Sequence, residues 1–204
     1  MKAKSIFLAA LTTICAIAMT GSLSSCSDSD DDNNGVPPKP IFQITVNTPS
    51  GTTYVLKPYM EWTNTLTDIE KYMSENYPDW TDEHDGKLTA DKYYPNQWNR
   101  SFCKGFMHNA YTFADDKGVE YKLVAYTFYG STYVKNIQEQ LTQFGYTYKG
   151  KLISDNFDAD ACYLYLSQDE SIEAQISVWE KEGGRWSLSF QPLDKDDLQY
   201  LEKN

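Results

Sequence analysis

Side chains suited to acid–base or nucleophilic chemistry are few in this chain of 204 residues. It contains two histidines, His84 and His108, and four cysteines. Three acidic residues flank His84 within residues 81–85, a composition that suits a divalent cation. Contiguous residues cannot all point in one direction, so we interpret this segment as a solvated acidic loop and predict no metal. Cys103 and His108 suit a thiol nucleophile with a base, but five residues apart on one strand they would lie on opposite faces.

Motifs of the common hydrolases and nucleotide-binding proteins are missing from the sequence. It has no Gly-x-Ser-x-Gly, no His-Glu-x-x-His and no glycine loop for phosphate. Its 29 acidic residues offer many carboxylate pairs for glycosidic cleavage, but their abundance identifies no single pair. The sequence therefore favours a non-catalytic protein without a cofactor, and a hydrolase of extracellular polymers is the alternative.

Aromatic and polar residues are concentrated between residues 78 and 100. Aromatic planes among amides and charges suit a sugar, and the same mixture of Trp, Tyr and Arg suits a protein interface. The third interpretation is that the rings turn inward and cover the core. The candidate binding residues are Trp80, Tyr93, Tyr94, Trp98 and Arg100.

The N-terminus has the layout of a secretory signal. Lys2 and Lys4 precede an apolar stretch at residues 6–19 that is too short for a comfortable membrane span. Leu23-Ser24-Ser25-Cys26 then resembles the bacterial lipobox, which implies cleavage before Cys26 and a lipid anchor on its thiol. The alternative is an ordinary secretory signal with an incidental cysteine. We expect a signal peptide at residues 1–25, an acidic, proline-containing tether at 26–40 and one domain at 41–204.

The acidic run after Cys26 indicates where the anchored protein resides. Asp28 and Asp30–Asp32 resemble the export signal of Bacteroidota lipoproteins, which implies the outer membrane with the chain facing the exterior; the alternative is a plain solvated tether. The net charge of −11 argues against nucleic acid as a partner, because phosphate binding needs basic patches.

Two cysteines remain in the expected domain, Cys103 and Cys162. An exported protein meets oxidising conditions, so the two thiols are candidates for a disulfide. The bridge would close a loop of about 60 residues and stabilise the fold by about 4 kcal/mol. The alternative is two separate buried thiols that pack as small apolar groups.

Hydrophobic periodicity predicts an α+β fold. Apolar residues at spacings of three and four predict two amphipathic helices, and Thr65-x-x-Asp68 predicts a capping box at the start of the first. Alternating segments around polar turns predict antiparallel hairpins, and a short last helix is expected at residues 194–201. We predict one antiparallel sheet with the helices on one face. The helix stripes are Leu66, Ile69, Met73 and Tyr77, and Val134, Ile137, Leu141 and Phe144.

The sequence also suggests an internal duplication. Residues 111–126 align with 164–179 at a constant offset of 53, and apolar positions match. The preceding helices align at an offset of 68, which predicts tandem helix–β-hairpin repeats at residues 57–130 and 131–193 with an insertion in the first. The alternative is two unrelated helix–hairpin units.

This order of a helix followed by antiparallel strands, twice in tandem, resembles the β-lactamase-inhibitor-like and PepSY-like group of small domains. The resemblance is architectural and covers residues 57–193, and Pro58-x-x-Glu61-Trp62 is similar to uncharacterised Bacteroidota surface lipoproteins. It implies protein binding or no known role, and it assigns no functional residue. The sequence thus predicts a lipid-anchored surface module that binds a glycan or an envelope protein; the alternatives are a hydrolase and a purely structural envelope protein.

Overall fold

The computed structural model describes residues 42–48, 51–91, 96–119, 121–129, 134–153, 159–180 and 184–202. These residues contain two α-helices, α1 (Leu66–Asn76) and α2 (Val134–Gln143), and a 3-10 helix at Asp197–Tyr200. The described strands are β1 (Ile44–Asn47), β2 (Thr53–Leu56), β3 (Thr81–Asp82), β4 (Thr89–Ala90), β5 (Trp98–Lys104), β6 (Met107–Phe113), β7 (Tyr121–Tyr129), β8 (Thr147–Leu152), β9 (Ala161–Leu166), β10 (Ile172–Trp179) and β11 (Arg185–Pro192). The fold is α+β, as the periodicity predicts.

The main sheet is antiparallel and contains two three-stranded meanders. Its described strands follow the order β3-β5-β6-β7-β11-β10-β9-β8, and β4 also pairs with β5. The consecutive strands β5, β6 and β7 form one meander, and β9, β10 and β11 form another. The last strands of the two meanders, β7 and β11, pair at the centre.

One face of the sheet, here called the inner face, carries large apolar side chains. Successive strand residues point to opposite faces, and in the cross-strand register Tyr126, Leu188 and Ile176 lie in one row. All three are fully buried and belong to the same core cluster as Ile69 of α1 and Ile137 of α2. Both helices therefore bury their predicted stripes on the inner face.

The hairpin β1–β2 forms a separate two-stranded sheet. The sequence predicts a single antiparallel sheet, and for these two strands that prediction is wrong. The side chain of Gln140 on α2 accepts a hydrogen bond from the backbone N–H of Thr45 and donates one to its carbonyl, both at 2.8 Å. This amide pairs with β1 as a neighbouring strand would, while Ile44 and Leu56 are buried in the core. Hydrogen bonds to α2 and burial in the core, rather than pairing with a strand of the main sheet, therefore hold the hairpin.

The start of α1 confirms the predicted capping residues. The backbone N–H and the hydroxyl of Thr65 both donate to the carboxylate of Asp68 at 2.8 Å. These hydrogen bonds satisfy donors at the helix terminus and place a negative charge near its positive end. The pKa of Asp68 is lowered by the hydrogen bonds from Thr65.

The opposite, outer face of the sheet carries small and polar side chains. Its residues alternate with the buried rows along β5, β6, β7, β11 and β10. They are Ser101, Cys103, His108, Ala110, Ala125, Thr127, Ser187, Ser189, Gln175 and Ser177. At the β9 end this face is apolar instead, and residues 193–202 pack on a second cluster formed by Leu152, Cys162, Leu164 and Leu166.

The two hairpins of the predicted repeat differ in register. Tyr111 pairs with Val124, whereas Leu164 pairs with Gln175. A constant offset of 53 would require Leu164 to pair with residue 177. A register shift between Thr112 and Phe113 and a longer turn in the first hairpin account for the difference, so the alignment at one constant offset does not describe the paired strands.

The centre of the inner face should dominate stability. Trp186 is fully buried and stacks on Phe128 with ring centroids 4.3 Å apart. Trp186→Ala should lower the free energy of unfolding by about 3–5 kcal/mol, because a large cavity would replace the ring. Urea denaturation followed by circular dichroism measures this change. Phe106→Ala is the matched control, since that ring is 80% exposed, and a comparable loss in both variants would contradict the assignment.

Candidate functional site

A cavity of about 290 Å³ lies beside α1 where the helix passes the start of the sheet. We call it the Arg100 pocket. It combines three charged side chains, three aromatic rings and two hydroxyl groups. Its lining residues are Glu70, Met73, Ser74, Tyr77, Pro78, Trp80, Asp82, Arg100 and Phe102.

Arg100 occupies an inner-face position on β5 and is only 3% exposed. Its Nη2 donates to Glu70 Oε1 at 3.1 Å, and its Nη1 donates to Asp82 Oδ1. A buried charge needs such partners, because desolvation without them costs several kcal/mol. The Nε atom of the same guanidinium is buried and has no hydrogen-bond acceptor among the described residues. Two carboxylates therefore hold the guanidinium in place, and its Nε–H is buried.

Asp82 is held in its ionised form. Partial burial alone would raise its pKa, but the hydrogen bond from Arg100 and those from the backbone N–H groups of His84 and Gly86 outweigh burial and lower the pKa. The backbone N–H of His84 lies 2.9 Å from Oδ1 and that of Gly86 lies 2.7 Å from Oδ2. Asp82 is thus an acceptor and not a proton donor at neutral pH.

Aromatic rings form one wall of the pocket. Trp80 is half-buried and meets Tyr77 edge to face, with centroids 5.3 Å apart. Phe102, two residues after Arg100 on the same face, has its ring centroid 5.1 Å from the guanidinium carbon. The rings and the fixed charges together present both apolar surface and polar partners to one small volume.

The structure brings together only some of the predicted binding residues. Trp80 and Arg100 line the same pocket, whereas Trp98 pairs with Ala90 and Phe113 and lines no part of it. Both tryptophans are partly buried and pack against the core, as the interpretation of inward-turned rings predicts. Tyr93 and Tyr94 lie outside the described residues. Sequence reasoning missed Glu70 and Tyr77, which α1 contributes, because no local spacing shows that the helix passes over β5.

Cys103 and His108 are neighbours, and the expectation that they lie on opposite faces is wrong. They belong to different strands, joined by a tight turn in which Gly105 adopts a φ of 61°, and they are directly opposed in the β5–β6 register. His108 Nδ1 lies 3.0 Å from Glu83 Oε1. Burial, then the charge of Glu83, raises the pKa of the Cys103 thiol. The thiol is therefore protonated at neutral pH, which disfavours a nucleophilic role.

The two domain cysteines are free thiols. Cys103 lies on β5 and Cys162 on β9, and the intervening strands are β6, β7, β11 and β10. Five interstrand spacings of about 4.8 Å separate them along the sheet, whereas a disulfide requires Cα atoms within about 7 Å. Of the two alternatives left open by the sequence, the structure shows the separate thiols.

In the acidic loop around His84, both carboxylate oxygens of Asp82 already accept hydrogen bonds from backbone N–H groups. Among the described residues, no group of three or more His, Cys, Asp or Glu side chains is arranged to hold a metal ion.

Comparison of the chain with protein-family models, with curated proteins and with solved structures found no match in any of the three. Within the part of the chain that the structure describes, no helix is both long and apolar enough to span a membrane.

The ionised state of Asp82 should make the pocket sensitive to acid. Its stabilising effect is present above the ordinary pKa of about 3.9 and is lost as the pH falls through the lowered pKa of the folded state. Asp82→Asn should therefore lower the free energy of unfolding by about 1–3 kcal/mol at pH 7, because hydrogen bonds to charged groups have this magnitude, and by much less at pH 2.5.

Urea denaturation at several pH values measures this difference. Asp116→Asn is the control, since Asp116 is exposed in a turn, and it should match the wild-type protein at every pH. Equal stability of Asp82→Asn and the wild type at pH 7 would show that the ion pair contributes nothing.

Proposed function

We propose that this protein is a lipid-anchored envelope protein whose domain binds a glycan without catalysis, and that one sugar unit occupies the Arg100 pocket. The observation that supports this proposal is the guanidinium of Arg100, which two carboxylates fix in place and which lines the pocket beside aromatic rings. A sugar ring offers hydroxyl groups to the charged side chains of the pocket and an apolar face to the rings.

The charge and size of the pocket favour a small, neutral ligand. Glu70 and Asp82 together outweigh the single charge of Arg100, and the chain as a whole carries −11, so an anionic ligand would be repelled. A volume of about 290 Å³ is at the lower end of the range for small-molecule sites. This volume limits the bound part of a glycan to about one sugar unit.

Electrostatics favour binding over hydrolysis. Acid-catalysed cleavage of a glycosidic bond needs a carboxylic acid whose pKa is raised. In the Arg100 pocket both acidic side chains contact the guanidinium, and the pKa of Asp82 is lowered. The two carboxylates hold Arg100 in place, so the hydrolase alternative lacks its acid at this site.

We also infer a lipid anchor at Cys26 and a location on the outer face of the outer membrane. The lipobox-like Leu23–Cys26 and the acidic run that follows support this inference, and both lie outside the described residues. A surface location would give the Arg100 pocket access to extracellular glycans.

We further propose that the domain arose by duplication of a unit that consists of a helix and a three-stranded meander. The order of strands supports this, since β5, β6 and β7 mirror β9, β10 and β11 about the central β7–β11 pair. In this correspondence β3 and β4 stand where β8 stands in the second unit, and Pro78, Trp80 and Asp82 from the region of the extra residues line the Arg100 pocket.

The glycan proposal predicts a difference between two half-buried tryptophans. Trp80→Ala should weaken binding at least tenfold, because the ring lines the pocket, whereas Trp98→Ala should change the affinity less than twofold. A glycan array with the purified protein identifies the ligand, and isothermal titration calorimetry measures the affinity. Both variants remove a ring of similar burial, so Trp98→Ala controls for loss of stability.

Equal loss of binding in the two variants would contradict the proposal, and so would an array on which the wild-type protein binds no glycan. A loss of about 3–5 kcal/mol in the stability of Trp80→Ala would show that this ring belongs to the core rather than to a binding site.

The lipid anchor predicts a specific processing defect. Cys26→Ala should leave an unacylated chain that retains its signal peptide or appears in the soluble fraction, because a stable anchor needs acyl chains on that thiol. Gel migration and mass spectrometry of the membrane fraction measure this, with globomycin treatment of the wild type as the matched condition. Detection of unmodified Cys26 in the membrane fraction would contradict the prediction.

A further inference from the structure

A second buried charged residue lies far from the Arg100 pocket, on the outer face of the sheet. Glu173 on β10 is 0% exposed. Its Oε1 accepts hydrogen bonds from Gln175 Nε2 at 2.9 Å and from Gln191 Nε2. Its Oε2 is buried and accepts no hydrogen bond from a described residue. A carboxylate in this position has half of its hydrogen-bonding capacity unmet.

The nearest charged group is a second acid. Gln175 Nε2 also donates to Asp197 Oδ2 at 2.8 Å, so one amide joins the carboxyl group of β10 to the first residue of the 3-10 helix. Asp194 and Asp196 add negative charge around Asp197, and the neighbouring group on β9 is the Cys162 thiol. From β11 the facing residue is the neutral Gln191. Within the described residues, neither Glu173 nor Asp197 forms a salt bridge.

The 3-10 helix belongs to a segment, residues 193–202, that covers the apolar end of the outer face. Its backbone pairs with the end of β8, where Ile153 N–H donates to the Tyr200 carbonyl and Glu202 N–H to the Lys151 carbonyl, both at 2.8 Å. Its side chains bury the cluster of Leu152, Cys162, Leu164 and Leu166. Cys162 is only 2% exposed beneath it.

We propose that Glu173 and Asp197 form a proton-operated latch, in which a neutral Glu173 allows residues 193–202 to lie on the sheet and its ionisation releases them. When Oε2 is protonated, its O–H can donate a hydrogen bond to the carboxylate of Asp197. This hydrogen bond gives Oε2 the partner that it otherwise lacks. Two ionised carboxylates at the same place repel each other and have no cation between them.

The titration of the pair agrees with this geometry. Burial raises the pKa of Glu173 to about 7, against the lowering effect of the hydrogen bond from Gln191, and the charge of Asp197 adds to the rise. Burial also raises the pKa of Asp197. Since the pKa of Glu173 in the latched state exceeds its ordinary value of 4.5, the latch is strongest at low pH. As the pH rises towards about 7, the equilibrium constant for the latched state falls by up to about tenfold per pH unit. Above that pH it changes little.

The buried Cys162 reports whether the segment is released. Brief alkylation of the purified protein with a maleimide at pH 5.5 and at pH 8, followed by peptide mass spectrometry, gives the rate at each cysteine. Cys103 lies outside the covered cluster and corrects for the intrinsic pH dependence of thiols. We expect the ratio of the Cys162 rate to the Cys103 rate to rise at least tenfold between the two pH values in the wild type.

Glu173→Gln removes the titrating proton, so the ratio of the Cys162 rate to the Cys103 rate should differ less than twofold between pH 5.5 and pH 8. Asp197→Asn removes the repulsion and should reduce the rise at least threefold, and it carries the test if Glu173→Gln fails to fold. Glu180→Gln, an exposed residue just after β10, should behave like the wild type. A ratio independent of pH in the wild type would overturn the proposal, as would the full wild-type rise in a folded Glu173→Gln or in Asp197→Asn.

Discussion

Burial of large side chains on one face of a single antiparallel sheet is the constraint on which this fold depends. Rows of side chains run across six strands, and one of them contains Arg100, Tyr111, Val124, Phe190, Ala174 and Tyr165 in cross-strand register. Such a face must be covered, because each large apolar side chain contributes about 1.5–3 kcal/mol when it leaves water. Both helices and the β1–β2 hairpin lie on that face for this reason. The small side chains of the outer face contribute less free energy on burial, so that face does not need a comparable cover.

The two buried ionisable residues, Arg100 and Glu173, differ in their state of ionisation. Arg100 stands at the end of an inner-face row and stays ionised, because Glu70 and Asp82 neutralise it. Glu173 stands on the outer face, and its nearest charged neighbour has the same sign, so burial favours the neutral acid. The first arrangement is rigid over the neutral pH range, which suits a binding pocket. The second changes with pH near neutrality, which suits a movable segment.

Local patterns predicted the elements but not their contacts. The stripes of Ile69 and Met73 and of Ile137 and Leu141, the pair Thr65–Asp68 and the hairpins around polar turns were readable, because each depends on residues close in the chain. The separate β1–β2 sheet was not, since it depends on the contact of Gln140 with Thr45 across 95 positions. The opposition of Cys103 and His108 was missed because a two-residue turn at Gly105 divides what reads as one strand. The burial of Arg100 was missed because exposure is the usual state of arginine.

The proposed glycan site follows from the same long-range geometry. Trp80 alone, or the mixture of rings and amides around it, does not distinguish a binding surface from a core. The contact that supports the proposed site comes from Glu70, a helix residue with no sequence signal, which meets Arg100 across 30 positions. That contact turns an arginine on an inner-face row into a fixed donor, and it occupies the carboxylates that a hydrolase would need free. The electrostatic state of this ion-paired triad is therefore the observation that favours the proposed binding over cleavage.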